Sequence, residues 1–249
     1  MRFIQITDTH LFDHTDDTLY GVDTTKSLQA VVEHIRAHAS HIDGILTTGD
    51  LTHDGGAPAY QRLLQLLAPL NAPIYCLPGN HDTLEVFASA LNAPQVQSGG
   101  RLLTNNWQLI FLDSAVAGAV LGHLRDAELA RLEAALQEYP RHHTLICLHH
   151  HPVAVGSVWL DHHMLNNPAA LFAITDQHPQ LRGILWGHVH QRFDATRNNV
   201  RLLACPSSCI QFRPDCVDFT LDDKPPGYRW LELQADGSID TGISYLSET

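Results

Sequence analysis

Short apolar runs, each broken off by a polar cluster, fill the first three quarters of the 249-residue chain. Arg2–Thr7, Gly44–Thr48, Ile74–Leu77, Trp107–Leu112, Thr144–Leu148 and Gly183–Trp186 have the length and residue types of buried strands. Between them lie segments with helical spacing. Leu28, Val31, Val32 and Ile35 fall at i, i+3, i+4 and i+7, with Thr24 or Thr25 as the expected cap. His34, His38 and His41 lie off that stripe and are expected in solvent. Pro58 opens a second helix carrying Leu63, Leu64, Leu66 and Leu67. Further helices are predicted from Leu84 to Leu91, from an Asp126 cap through Leu129, Leu132 and Leu136, and over Pro168–Gln177. Ala93–Gly100 reads as loop.

The last quarter is strand-rich: Val200–Ala204, Tyr228–Leu233 and Ile239–Tyr245, with Asp236-Gly237 as a hairpin turn between the last two. Strand–helix alternation followed by strands predicts an α/β chain with a second sheet packed in the same domain. No repeat or linker divides it, so residues 1–249 are expected to form a single domain.

Five of the polar clusters carry chemistry. They are Asp8-x-His10, Gly49-Asp50, Gly79-Asn80-His81, His149-His150 and Gly187-His188-x-His190. Each stands where a strand ends, which in open α/β sheets is where ligands bind. Asp8 and His10, two apart on an extended chain, are expected to point to one side. Any one of these clusters is ordinary turn chemistry. Together they supply two Asp, one Asn and at least four His. That nitrogen and oxygen set, without thiolates, suits two divalent first-row metals such as Mn, Fe or Zn and does not suit an all-oxygen Ca or Mg cage.

Composition narrows the partners. The net charge is -12 and only two lysines occur, Lys26 and Lys224, so the basic track of a polymeric nucleic-acid binder is missing. The 18 histidines against 15 Lys+Arg point again to metal. No run approaches the ~18 apolar residues of a membrane helix, and the N-terminal run is too short for a signal peptide. Five cysteines with no C-x-x-C pair predict buried reduced thiols and a cytoplasmic protein, with a metal role for Cys205 and Cys209 as the alternative. The oligomeric state is not legible.

The ordered pattern D-x-H, G-D, G-N-H-D, H-H and G-H-x-H resembles the calcineurin-like metallophosphoesterases over nearly the whole chain. The wording I-T-D-T-H-L-F, T-G-D-L, L-P-G-N-H-D, L-H-H-H-P and G-H-V-H-Q, with the later W-L-D and C-I-Q-F, resembles the bacterial class III 3',5'-cyclic-AMP phosphodiesterases within that family. The resemblance implies a four-layer, two-sheet β-sandwich flanked by α-helices, the metallo-dependent phosphatase fold. It implies that Asp8, His10 and His190 hold one metal, that Asn80, His149 and His188 hold the other, and that Asp50 bridges them. His150 and His151 stay open as alternatives to His149. His81 is implied as the catalytic residue facing the phosphate, and His10, Asp50, Asn80, His81 and His190 as substrate contacts.

The implied reaction is hydrolysis of cyclic AMP to 5'-AMP by a metal-bridging hydroxide. Two dications, two carboxylates and a hydroxide leave the site near +1, which a diester anion neutralises. The alternatives are a broader phosphodiesterase acting on glycerophosphodiesters or 2',3'-cyclic nucleotides, a phosphomonoesterase, and a non-catalytic metal-binding scaffold. Trp159, Phe212 and Arg213 are candidate nucleotide contacts, with ordinary packing the preferred reading for the two aromatics.

Overall fold

The computed structural model describes residues 1–104 and 106–246. Two six-stranded sheets lie face to face. The first runs β14-β13-β1-β2-β3-β4, built from β1 (Arg2–Ile6), β2 (Gly44–Thr48), β3 (Ile74–Leu77), β4 (Val96–Ser98), β13 (Gly227–Leu233) and β14 (Ile239–Tyr245). The second runs β5-β6-β7-β8-β10-β9, built from β5 (Gly100–Leu103), β6 (Trp107–Phe111), β7 (His143–Cys147), β8 (Leu181–Trp186), β9 (Phe193–Arg197) and β10 (Val200–Ala204). Within each sheet four neighbouring strands are parallel and the remaining two pair antiparallel. A small hairpin joins β11 (Gln211–Phe212) to β12 (Leu221–Asp222).

Period-2 alternation sorts the side chains into layers. Phe3, Leu46, Trp107, Leu109, Phe111, Leu145 and Leu203 fill the space between the sheets. Ile4, Ile6 and Ile45 face outward onto α1 (Thr24–His38), α2 (Ala57–Leu67) and α3 (Leu84–Ala90). Ile110, Ile146 and Ile184 face the other way onto α4 (Asp126–Glu138) and α6 (Pro168–Thr175). The result is α/β with two packed sheets, as the pattern of buried runs predicts, in the four layers that the family resemblance implies.

Two buried polar side chains tie the sheets together. Gln5 donates through Nε2 to Thr48 Oγ1 at 2.8 Å and to the Trp186 carbonyl at 2.9 Å. Arg229 donates to the Ala204 and Phe193 carbonyls and to Thr241 Oγ1.

Local expectations fail in places. Asp23, not Thr24, caps α1, accepting the Lys26 N–H at 2.9 Å. Asp126 lies inside the first turn of α4 and does not cap it. His34 is half-buried, 3.2 Å from the Tyr228 hydroxyl. Part of the expected Ala93–Gly100 loop is β4, and β5, β9, β11 and β12 carry no signal that the apolar pattern registers.

Candidate metal centre

The cluster-bearing strands end on one side of the molecule. β1, β2 and β3 deliver Asp8, His10, Asp50, Asn80 and His81 from one sheet; β7 and β8 deliver His149, His188 and His190 from the other. Five of these eight residues leave their strand through left-handed backbone. Asp8 (φ 52°), His10 (φ 43°), Asp50 (φ 50°), His188 (φ 67°) and His190 (φ 45°) all take the left-handed region. Such positions cost of order 1–3 kcal/mol each and persist only when their surroundings fix them. Here the Asp8 N–H is held by the Gly49 carbonyl, that of His10 by the Asp50 carbonyl and that of His188 by the Asp8 carboxylate. Asp8 and His10 therefore converge because the chain turns, and not because it is extended as the sequence suggests. The flanking glycines follow from the same crowding: a Cβ on Gly79 would overlap Asp50, and one on Gly187 would overlap Thr7 and Asp8.

The seven expected ligands form one chain of close contacts. His190 Nε2 lies 3.4 Å from Asp8 Oδ1 and 3.2 Å from His10 Nε2. Asp50 Oδ2 lies 3.8 Å from His10 Nε2 and 3.4 Å from His149 Nε2. His149 Nε2 is also 3.2 Å from Asn80 Oδ1 and 3.2 Å from His188 Nδ1. His81 donates its backbone N–H to Asp50 Oδ1, and its Nδ1–H to the His53 carbonyl.

This arrangement tests the fit of a cation. His149 spends Nδ1–H on the Thr48 carbonyl at 2.8 Å, and His190 spends Nδ1–H on the Ile210 carbonyl at 2.9 Å. Their Nε2 lone pairs thus aim at carboxylate oxygens and at other imidazoles. Acceptors facing acceptors repel unless a proton or a metal lies between them. Backbone carbonyls on the far ring nitrogens fix tautomer and orientation, as metal-ligating histidines require. The donor set and its geometry fit divalent metal.

Electrostatics show the same demand for positive charge. Burial lowers the His149 imidazole, but Asp50 outweighs it and holds the group up at about 9. Burial opposes the Asp50 carboxylate, yet His149 and His10 keep it well below its usual value. His10 and His188 are pushed well down by burial.

The triple histidine separates cleanly. His150 lies near His149 and His188. Both of its nitrogens are already engaged, Nδ1 with Ser114 Oγ at 2.8 Å and Nε2 with the Val120 carbonyl at 3.1 Å. His151 faces Asp161 at 3.5 Å without a hydrogen bond, and burial pushes it down to about 4. Of the three, only His149 turns Nε2 toward Asp50, Asn80 and His188. Cys205 and Cys209 point their thiols at the Gln5 and Asp8 carbonyls and join no metal-capable group among the described residues.

Several residues here escaped the sequence. His53 stands 3.5 Å from His10, nitrogen to nitrogen, and stacks on His81 with centroids 4.8 Å apart. Asp82, the last letter of G-N-H-D, is buried and accepts the Gly79 and Leu51 N–H groups and the Tyr60 hydroxyl, so it pins the turn that presents Asn80 and His81. Burial, then Asp50, raises its carboxyl to about 6. A cleft of about 140 Å³ opens over the cluster, walled by Val120, Trp159, Leu160, His163 and Phe212. A second hollow of about 290 Å³ lies beyond His81 and shares only Asn80 and His81 with the first.

Residues 1–192 match the family model for calcineurin-like phosphoesterases. The chain belongs to the calcineurin-like phosphoesterase family. Among relatives of this phosphoesterase, a Pseudomonas aeruginosa protein named 3',5'-cyclic adenosine monophosphate phosphodiesterase CpdA is 44% identical, with 98% of this chain and 90% of that protein aligned. The protein of the same name from Escherichia coli K12 is also 44% identical, covering 100% of this chain and 91% of that protein. A dimetal phosphatase from Danio rerio shares the phosphoesterase fold, with a TM-score of 0.67 at 15% identity over 92% of this chain and 94% of that one. Among the described residues no helix is long and apolar enough to cross a membrane.

Proposed function

We propose that this phosphoesterase is a dinuclear-metal phosphodiesterase that hydrolyses 3',5'-cyclic AMP to 5'-AMP. The observation that carries it is the Asp50 carboxylate, one oxygen of which faces His149 at 3.4 Å and His10 at 3.8 Å. A single oxygen between two imidazole nitrogens supports a pair of ions joined by Asp50. Asp8, His10 and His190 would hold one ion; Asn80, His149 and His188 would hold the other. Fe or Mn suits this set best, with Zn as the alternative. When bound, the ions supply charge for the phosphoryl oxygens and a lowered pKa for a bound water. The cyclic-AMP activity named for relatives at 44% identity supports the substrate.

The chain's own residues do the rest. His81 is fixed by two hydrogen bonds, one to Asp50 and one to the His53 carbonyl, which leaves Nε2 as its free nitrogen. His81 lines the cleft over the cluster. As an imidazolium, with Nδ1–H kept on the His53 carbonyl, His81 would give its Nε2 proton to the ribose 3'-oxygen, a poor leaving group without one, and be left as the neutral ring. His10, Asp50, Asn80 and His190 line the same cleft and contact the substrate phosphate. Ligands come from both sheets, which supports one domain over residues 1–249. Free cysteines, four of them buried, support a reducing, cytoplasmic location.

A turnover screen of cyclic AMP, cyclic GMP, a glycerophosphodiester and a phosphomonoester, with Mn or Fe supplied, tests the proposal. Cyclic AMP is expected to turn over fastest, with activity lost on chelation and restored by Mn or Fe. Full activity in a demonstrably metal-free preparation, or a monoester as the best substrate, would overturn it.

A further inference from the structure

We propose that the aromatic wall of the cleft, Trp159 with Phe212, is the seat of the nucleobase, purines before pyrimidines. This rests on the cyclic-nucleotide function above.

In a 3',5'-cyclic nucleotide the phosphate is fused to the ribose. With the phosphate over the metal cluster, the base must lie one sugar away, along whichever cleft wall receives it. Two directions are open. The hollow beyond His81 is lined by small and aliphatic residues, by Asn80 and Thr83 and by the Asp82 and Glu85 carboxylates, with no aromatic ring other than His81 itself. The cleft over the cluster presents Trp159 and Phe212 beside apolar Val120 and Leu160. A flat, weakly polar purine fits the second.

The wall begins on the metal cluster itself. Phe212 stacks on His190, with centroids 4.0 Å apart and planes 8° apart. Trp159 meets Phe212 edge-on at 5.0 Å, and Phe219 meets Trp159 at 5.1 Å. The rings thus run from a ligand out to solvent, where Phe219, behind Trp159 and outside the cleft lining, is 43% exposed. An apolar strip that reaches solvent beside an anion site needs an apolar occupant attached to an anion.

The ring, and not its N–H, is what Trp159 offers. Its Nε1 is buried and has no acceptor among the described residues, so no ligand reaches it in this geometry. The indole sits on a short helix, α5 (Val158–Asp161), which is itself well anchored. The Val158 N–H donates to the Cys216 carbonyl, and the Asp161 carboxylate accepts the Val155 and Gly156 N–H groups. A stacking platform needs that rigidity more than it needs a polar handle. Base–aromatic stacking accounts for about 5- to 160-fold in binding.

The test compares two inhibitors on the metal-loaded full chain. 5'-AMP and ribose 5-phosphate share the phosphate and sugar and differ by the base. Their inhibition constants against a nitrophenyl phosphodiester give a ratio that reports the base alone. The wild type is expected to bind 5'-AMP at least about fivefold more tightly, and 5'-CMP less tightly than 5'-AMP. Trp159→Leu brings the ratio toward one, whereas Trp159→Phe keeps most of it. Phe219→Ser, which removes the exposed ring packed behind Trp159 and Phe212, lowers the ratio in the same direction by a smaller factor. An unchanged ratio in Trp159→Leu and Phe219→Ser, with the wild-type preference intact, overturns the base seat and leaves the cyclic-nucleotide function standing. A ratio of one in the wild type, with no cyclic-nucleotide turnover, overturns both.

Discussion

Asp50 Oδ2 lies 3.4 Å from His149 Nε2, and this pair joins the strand ends of one sheet to those of the other. Its partners leave it little freedom. The other Asp50 oxygen accepts the His81 N–H, and the other His149 nitrogen donates to the Thr48 carbonyl.

The pair makes metal loading pH-dependent. Without metal, Asp50 holds the His149 pKa at about 9, so the imidazole is protonated at neutral pH. A metal needs that lone pair and must displace the proton. Loading is therefore expected to weaken as pH falls from about 9, by up to about tenfold per unit, and to release close to one proton from His149 near pH 7. Calorimetry in buffers of different ionisation enthalpy measures the release. A metal affinity that is flat between pH 7 and 9 would contradict it.

Asp50→Ala is expected to lose more metal than Asp8→Ala. Asp50 lies within 3.8 Å of imidazole nitrogens of both proposed sites, while the imidazole that comes nearest the Asp8 carboxylate is His190 of the first site, at 3.4 Å. Metal analysis should give about one ion per chain for Asp8→Ala and well below one for Asp50→Ala. Two ions retained by Asp50→Ala would remove the bridge.

His81→Asn should keep both metals and slow cyclic AMP by about 10²–10⁴-fold. A nitrophenyl phosphodiester, whose leaving group departs without a proton, should lose far less. Equal losses on both substrates would make His81 a phosphate-positioning residue and not the acid.

Neighbouring histidines should behave oppositely. His149→Asn is expected to shed metal. His150→Asn removes hydrogen bonds to Ser114 and Val120, and should lower unfolding free energy by about 1–3 kcal/mol while metal content stays. Denaturant titration and metal analysis on both variants separate the roles; metal loss in His150→Asn would place it among the ligands.

The sequence by itself determined the α/β class, most of the long buried strands and the five clusters at their ends. Those signals are local: an apolar run with no polar face must be buried, and Pro, Gly or Asp after it must stop it. The clusters also carried the family resemblance. Edge strands such as β4 and β9 escaped because half-exposed segments bury too little to impose a period. Tertiary structure alone decided which of His149, His150 and His151 turns a free nitrogen to the cluster, since Ser114 and the Val120 carbonyl claim His150 from distant segments. It also decided that Trp159 and Phe212 wall the cleft and that Arg213 does not. Such choices depend on which backbone carbonyls and rings two packed sheets bring together, and spacing along one chain does not encode that.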